Sequence, residues 1–199
     1  MPSIFGVTDA LKTSLDRYAS KGFVVIAPDV FWRTQPGPLT PDRRAEGQAR
    51  MAAYDFDAGL DDLRRTVEAL ENVPLWNGKF GIFGFCFGGK HAFLGITRLG
   101  ADAGAAFHGT AIHTVLDEAD KLNKPFSFHY GKDDHVVPMD QVDAIKAALA
   151  GKDGEIHVYD GVGHSFALPD NPGFHAEATR LSEERALAVF DRMKETAIA

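Results

Sequence analysis

Five short apolar runs, at residues 23–27, 80–85, 103–107, 126–130 and 155–159, alternate along this chain with segments whose apolar residues recur at helical spacing. Runs of four to eight apolar residues separated by helical patterns predict βαβ units, a mostly parallel sheet and right-handed crossovers. The first three runs are almost continuously apolar, as strands covered on both faces should be. The last two alternate in part, which places them nearer an edge. Helices are predicted over 9–20, 56–70, 88–98, 139–149 and 177–194. The fold class is α/β: a three-layer arrangement with helices on both faces of the sheet. At 199 residues the chain is long enough for one domain, 1–199, with a full core.

The most reactive feature is the run Gly-Ile-Phe-Gly-Phe-Cys-Phe-Gly-Gly at 81–89, which holds the chain's one cysteine, Cys86. An apolar strand leads into it and a helical pattern leaves it. That is the layout of a nucleophile elbow, with a thiol where Gly-x-Ser-x-Gly carries a hydroxyl. The flanking glycines suit a turn in which a Cβ would strike the neighbouring strand or helix. A free cysteine can equally be a small buried apolar residue, so the turn alone does not assign a role.

A thiol attacks as its thiolate and needs a base. Of eight histidines, His164 lies in Asp-Gly-Val-Gly-His-Ser-Phe, a glycine-rich turn just past the last predicted strand. His129 falls within a strand and reads as a hydrogen-bonded core residue; His91, one turn beyond the elbow, reads as packing. An acid to orient the base is expected after the penultimate strand, where Asp133 and Asp134 are adjacent. Cysteine, aspartate and histidine then follow the chain order of the α/β-hydrolases, each at a strand end. Trp32–Asp42 and 168–174 are proline-rich loops at the same edge and are expected to wall a pocket. Trp32 and Phe166 are its aromatic candidates.

Composition excludes several partners. The formal charge of −7 gives no basic patch for nucleic acid. No apolar run approaches a membrane span, and no segment has the layout of a signal peptide. One cysteine forms no internal disulfide, which fits a cytoplasmic protein. No spacing matches a metal-binding motif, so neither metal nor cofactor is expected.

The pieces Ile-Phe-Gly-Val (4–7), Ala-Pro-Asp-Val-Phe-Trp-Arg (27–33), Gly-Phe-Cys-Phe-Gly-Gly (84–89), Asp-His-Val-Val-Pro (134–138) and Gly-His-Ser-Phe-Ala (163–167) together resemble the dienelactone hydrolase family. The resemblance implies an α/β-hydrolase fold and a Cys86–His164–Asp134 triad, and it selects Asp134 over Asp133. It implies an oxyanion hole from the N–H groups of Phe87 and Ile4, substrate binding at Arg33, and hydrolysis of a small ester or lactone.

Three departures accompany it. Ser3 stands where the family has a glutamate beside the cysteine. Leu168 stands where a second substrate-binding arginine would fall, which favours a more apolar or neutral ester. The strands that the family carries ahead of 4–7 are absent, so the sheet is expected to be N-terminally shortened, with a gap between 23–27 and 80–85. An uncovered edge predicts a homodimer or a swapped arrangement. The rival readings are a binding or scaffolding protein on the same fold, and a thiol redox enzyme, which would need an external resolving thiol.

Overall fold

In the computed structural model, which describes residues 1–74 and 76–195, four parallel strands form one sheet in the order β1-β2-β3-β4. They are β1 (Gly81–Phe85), β2 (Ala103–Phe107), β3 (Phe126–Gly131) and β4 (Gly154–Tyr159). The register pairs Phe85 with Phe107, Phe107 with His129, and His129 with His157. Six α-helices accompany them: α1 (Asp9–Ala19), α2 (Arg44–Ala52), α3 (Phe56–Leu70), α4 (Gly88–Leu99), α5 (Met139–Ala148) and α6 (Ala176–Glu195).

The two faces of the sheet bury different residues because side chains alternate along a strand. Phe126, Phe128 and Tyr130 point into a core with Phe93 of α4, Leu63 of α3 and Ile145 of α5. Ala103, Ala105 and Phe107 point the other way, against Ala186, Val189 and Phe190 of α6 and Leu11 and Tyr18 of α1. Helices therefore lie on both faces, as expected. Local signals set the starts of α1 and α3. Thr8 caps α1 by accepting the Leu11 N–H, and Asp55 caps α3 by accepting from Asp57 and Ala58.

Two expectations are corrected. Residues 23–27 are not a strand; they run beside the sheet without pairing. A strand is defined by ladder pairing with a neighbour, and among the described residues β1 is laddered only to β2. Between this segment and β1 lies an apolar slot of about 270 Å³, lined by Leu15, Tyr18, Val25, Val67, Phe83 and Phe190 among others. Val24 and Ile26 are 69% and 49% exposed beside it. At the far end of the slot Met1 pairs with the edge of β1. Its amine donates to the Phe83 carbonyl, and its carbonyl accepts from the Phe85 N–H at 3.1 Å.

The second correction concerns β3, which is an inner strand buried along its whole length. Ser127 and His129 find their partners inside the protein, whereas the buried Tyr130 hydroxyl has none among the described residues. His129 Nδ1 lies 3.0 Å from the Tyr159 hydroxyl and Nε2 3.0 Å from Ser127 Oγ. Beyond the expected elements, the structure adds α2 and two 3-10 helices, Pro41–Arg43 and Ile112–Lys121. No helix among the described residues is long and apolar enough to cross a membrane.

Candidate active site

Cys86 sits at the tip of the turn from β1 into α4 with φ = 51°, a left-handed conformation that a non-glycine residue adopts only under constraint. The constraint comes from the next strand. The Cys86 N–H donates to the Phe107 carbonyl (3.0 Å), and the Cys86 carbonyl accepts from Gly89 (2.9 Å) and Thr110 (3.0 Å). The glycines do what the turn requires. A Cβ on Gly84 would lie 2.0 Å from the Gly88 carbonyl oxygen, and one on Gly88 would lie 2.5 Å from the Met1 carbonyl oxygen. Gly88 thus lets residues 1–4 cross directly over the start of α4.

His164 reaches this tip from the loop after β4. Its Nε2 is 3.2 Å from Cys86 Sγ, and its Nδ1 is 2.7 Å from Asp134 Oδ2. Asp134 is buried after β3. Its other oxygen accepts the N–H groups of Val136 (2.8 Å) and Val137 (3.0 Å), which leaves Oδ2 for the imidazole. Asp133 faces solvent. Burial pulls the His164 pKa down, but hydrogen bonds to Asp134 and Cys86, and the charges they carry, outweigh it and lift the value to about 9. The geometry is that of a nucleophile, a base in contact with it, and an acid that fixes the base.

Ile4 and Phe87 pack together in a small cluster with Phe5, Phe31 and Leu39, and Cys86 lies against it. Neither the Ile4 N–H nor the Phe87 N–H has an acceptor among the described residues. Ser3 is buried and spends its hydroxyl on its own turn, accepting the Phe5 N–H at 3.2 Å.

The other expected site residues have partners of their own. Arg33 makes a bidentate pair with Asp62 of α3 (3.0 and 2.7 Å) and stacks on Trp32, its guanidinium carbon 4.3 Å from the ring centroid. The Trp32 Nε1–H also donates to Asp62 (2.8 Å), and its ring is 55% exposed. Phe166 is fully buried between His108 and Tyr159, so it backs the site instead of presenting a face to it. Leu168 belongs to the core against α6. His91 packs beneath the elbow, 2.8 Å from the Tyr54 hydroxyl.

Two residues near the site carry no sequence signal. His108, on the loop after β2, is buried with its ring 5.0 Å from that of His164. Arg50, on α2, is buried and donates to the Ile4 carbonyl at 2.9 Å. Only the fold brings His108 beside His164 and Arg50 beside Ile4.

The sequence matches the dienelactone hydrolase family over residues 1–194. It is 33% identical over 196 residues to a carboxymethylenebutenolidase of Pseudomonas sp. (strain P51), covering 96% of this chain and 82% of that one. It is 30% identical over 189 residues to the carboxymethylenebutenolidase of Pseudomonas putida, covering 92% and 80%. Among solved structures, that of a provisional dienelactone hydrolase from Klebsiella pneumoniae subsp. pneumoniae MGH 78578 superposes with a TM-score of 0.83 at 25% identity, over 96% of this chain and 84% of that one. The elbow, the order of its partners and the match along nearly the whole chain agree: this protein is a hydrolase, and it belongs to the dienelactone hydrolase family.

Proposed function

We propose that the protein hydrolyses small carboxylic esters or lactones through a Cys86–His164–Asp134 triad and a thioester. The observation that carries the reading is the continuous contact from Sγ through the imidazole to the Asp134 carboxylate, at 3.2 and 2.7 Å. Sγ attacks the carbonyl carbon as a thiolate while the imidazolium holds the proton. The carbonyl oxygen becomes an oxyanion facing the N–H groups of Ile4 and Phe87. Each such donor is worth about 3–4 kcal/mol in a well-studied case, and the Phe87 N–H has the added field of the α4 N-terminus. His164 gives its proton to the leaving oxygen as the C–O bond breaks, and in a lactone that oxygen stays tethered. Water, deprotonated by His164, then attacks the thioester and returns the thiolate. Asp134 keeps the Nδ1–H tautomer and stabilises the cation throughout.

The substrate class follows from charge. Asp62 already neutralises Arg33, and Leu168 is buried, so neither offers a free cation to a substrate carboxylate. We therefore favour neutral or apolar esters over a lactone that carries its own carboxylate. The part of the β1 edge that Met1 leaves open among the described residues also supports a homodimer; light scattering that returns a monomer at micromolar concentration would end that idea.

The deciding experiment is a panel of p-nitrophenyl esters and a dienelactone with Cys86→Ala as control. Turnover that survives Cys86→Ala sinks the triad. No turnover of any ester by the wild type leaves a binding protein on a hydrolase fold.

A further inference from the structure

Arg50 has an unusual set of partners. It is 2% exposed, and every hydrogen bond it makes goes to a backbone carbonyl: Ile4 (2.9 Å), Gln35 (3.0 Å) and Gly37 (2.8 Å). Among the described residues, no carboxylate hydrogen-bonds to it, and Asp29 and Glu46 act on it only as nearby charges. Its guanidinium carbon lies 4.2 Å above the Phe31 ring, which in turn stacks on Phe87 at 5.4 Å. A buried cation without an ionic partner costs stability that an apolar side chain of similar size would not. In some proteins a buried charge of this kind fixes one arrangement of the chain.

The arrangement it fixes is the turn at residues 3–6. That turn is tied at four points. Gly6 N–H closes it on Ser3, Ser3 Oγ accepts from Phe5, Leu39 N–H donates to Phe5, and Arg50 holds the Ile4 carbonyl. The loop on the other side of the guanidinium is held open by Asp29, whose carboxylate takes the N–H groups of Phe31 (3.0 Å) and Gly37 (2.7 Å) and so turns the Gly37 carbonyl toward Arg50. One side chain therefore clamps the residue whose N–H faces the reaction to the loop behind it.

We propose that Arg50 is a positioning residue for the oxyanion side of the site, acting through Ile4. The proposal rests on the thiol-hydrolase reading above. Oxyanion donors work only when aimed beforehand, and displacements of about 1 Å cost about 100-fold in rate. Gly47, one turn before Arg50 on α2, offers an independent handle. A Cβ there would stand 3.1 Å from the Ile4 carbonyl oxygen and 3.2 Å from Ile4 Cδ1, pressing on the same residue from the helix. Alanine also favours a helix over glycine.

The test separates oxyanion positioning from thiol reactivity. Iodoacetamide alkylates Cys86 without forming an oxyanion. A small aldehyde adds Sγ to its carbonyl carbon, and the oxygen that gains the electron pair takes the His164 proton. Arg50→Met should lower kcat for p-nitrophenyl butyrate and weaken aldehyde inhibition at least tenfold each, with KM within threefold and the alkylation rate within twofold of wild type. Arg50→Lys should recover part of the loss. Gly47→Ala should lower kcat without lowering the melting temperature. If Arg50→Met does not fold, the Lys and Gly47→Ala variants decide. A folded variant set with kcat within twofold of wild type, or alkylation falling in step with kcat, overturns the proposal. Should the wild type hydrolyse no ester at all, the hydrolase reading fails, while aldehyde binding still tests Arg50.

Discussion

His108 and His164 meet edge to face, their ring centroids 5.0 Å apart, and their surroundings push their pKa values in opposite directions. Burial, with the nearby charge of His164, holds the His108 pKa well below the usual imidazole range. The pair with Asp134 and Cys86 lifts His164 to about 9. A neutral aromatic ring beside an imidazolium supports it; a second cation there would not.

The first consequence is a pH limb. His164 can protonate a leaving alcohol only while it is an imidazolium, and a raised pKa extends that form up to about 9. For an alkyl ester, kcat/KM is expected to fall as pH rises through about 9, by about tenfold per unit beyond it. A p-nitrophenyl ester, whose leaving group needs no proton, should lack this limb. His108→Phe keeps a neutral ring against His164 and should leave the limb in place. An alkyl-ester limb that begins below pH 8 would contradict the assignment.

Asp134→Asn tests the orienting acid. The amide oxygen can still accept the Val136 and Val137 N–H groups, so the loop should hold. The amide nitrogen would then face His164 Nδ1 and favour the wrong tautomer. Single-turnover kinetics should show a loss of up to about 10⁴-fold, the figure known for a serine triad so altered. The thermal midpoint should move by only a few degrees. A rate within tenfold of wild type would remove Asp134 from the mechanism.

The protein should also be labile to acid. His91, His108 and His129 are buried and neutral; burial lowers His91 to about 3 and the other two well below their ordinary range. The unfolded chain takes up these protons once pH drops below about 6.5, whereas the folded protein refuses them. Their stabilising effect is therefore complete above about 6.5 and falls with pH below it, by up to about 1.4 kcal/mol per unit for each histidine. The shift at His164 has the opposite sign: its contribution is complete below about 6.5 and is lost as pH rises through about 9. Urea midpoints from pH 8 to 4.5 would show the acid limb, and His91→Phe should flatten it. A midpoint that does not change between pH 7 and 5 would contradict the burial described for these residues.

Much of this was legible in the chain. Four of the five apolar runs became strands with bounds within one residue of those expected, because a strand buried on both faces must be apolar along its length. The elbow, His164 and the aspartate fell where chain order placed them. Other features needed the fold. Residues 23–27 have every local mark of a strand, but pairing depends on a neighbour, and sequence periodicity does not report one. Ser127 and His129 made β3 look like an edge because sequence does not show that they bond to each other along the strand and to Tyr159 on β4. Arg33 looked free because Asp62, which neutralises it, lies 29 residues away on α3.

The bonds from the Met1 amine to Phe83 and from Phe85 to the Met1 carbonyl straddle Gly84 in the manner of a parallel pair. Met1 therefore lies along the edge of β1 in parallel register opposite Gly84. Three residues beyond it is Ile4. The pairing at the sheet's margin and the Ile4 amide on which the proposed mechanism depends are consequently joined by three residues of chain, so the edge of β1 anchors the turn at residues 3–6.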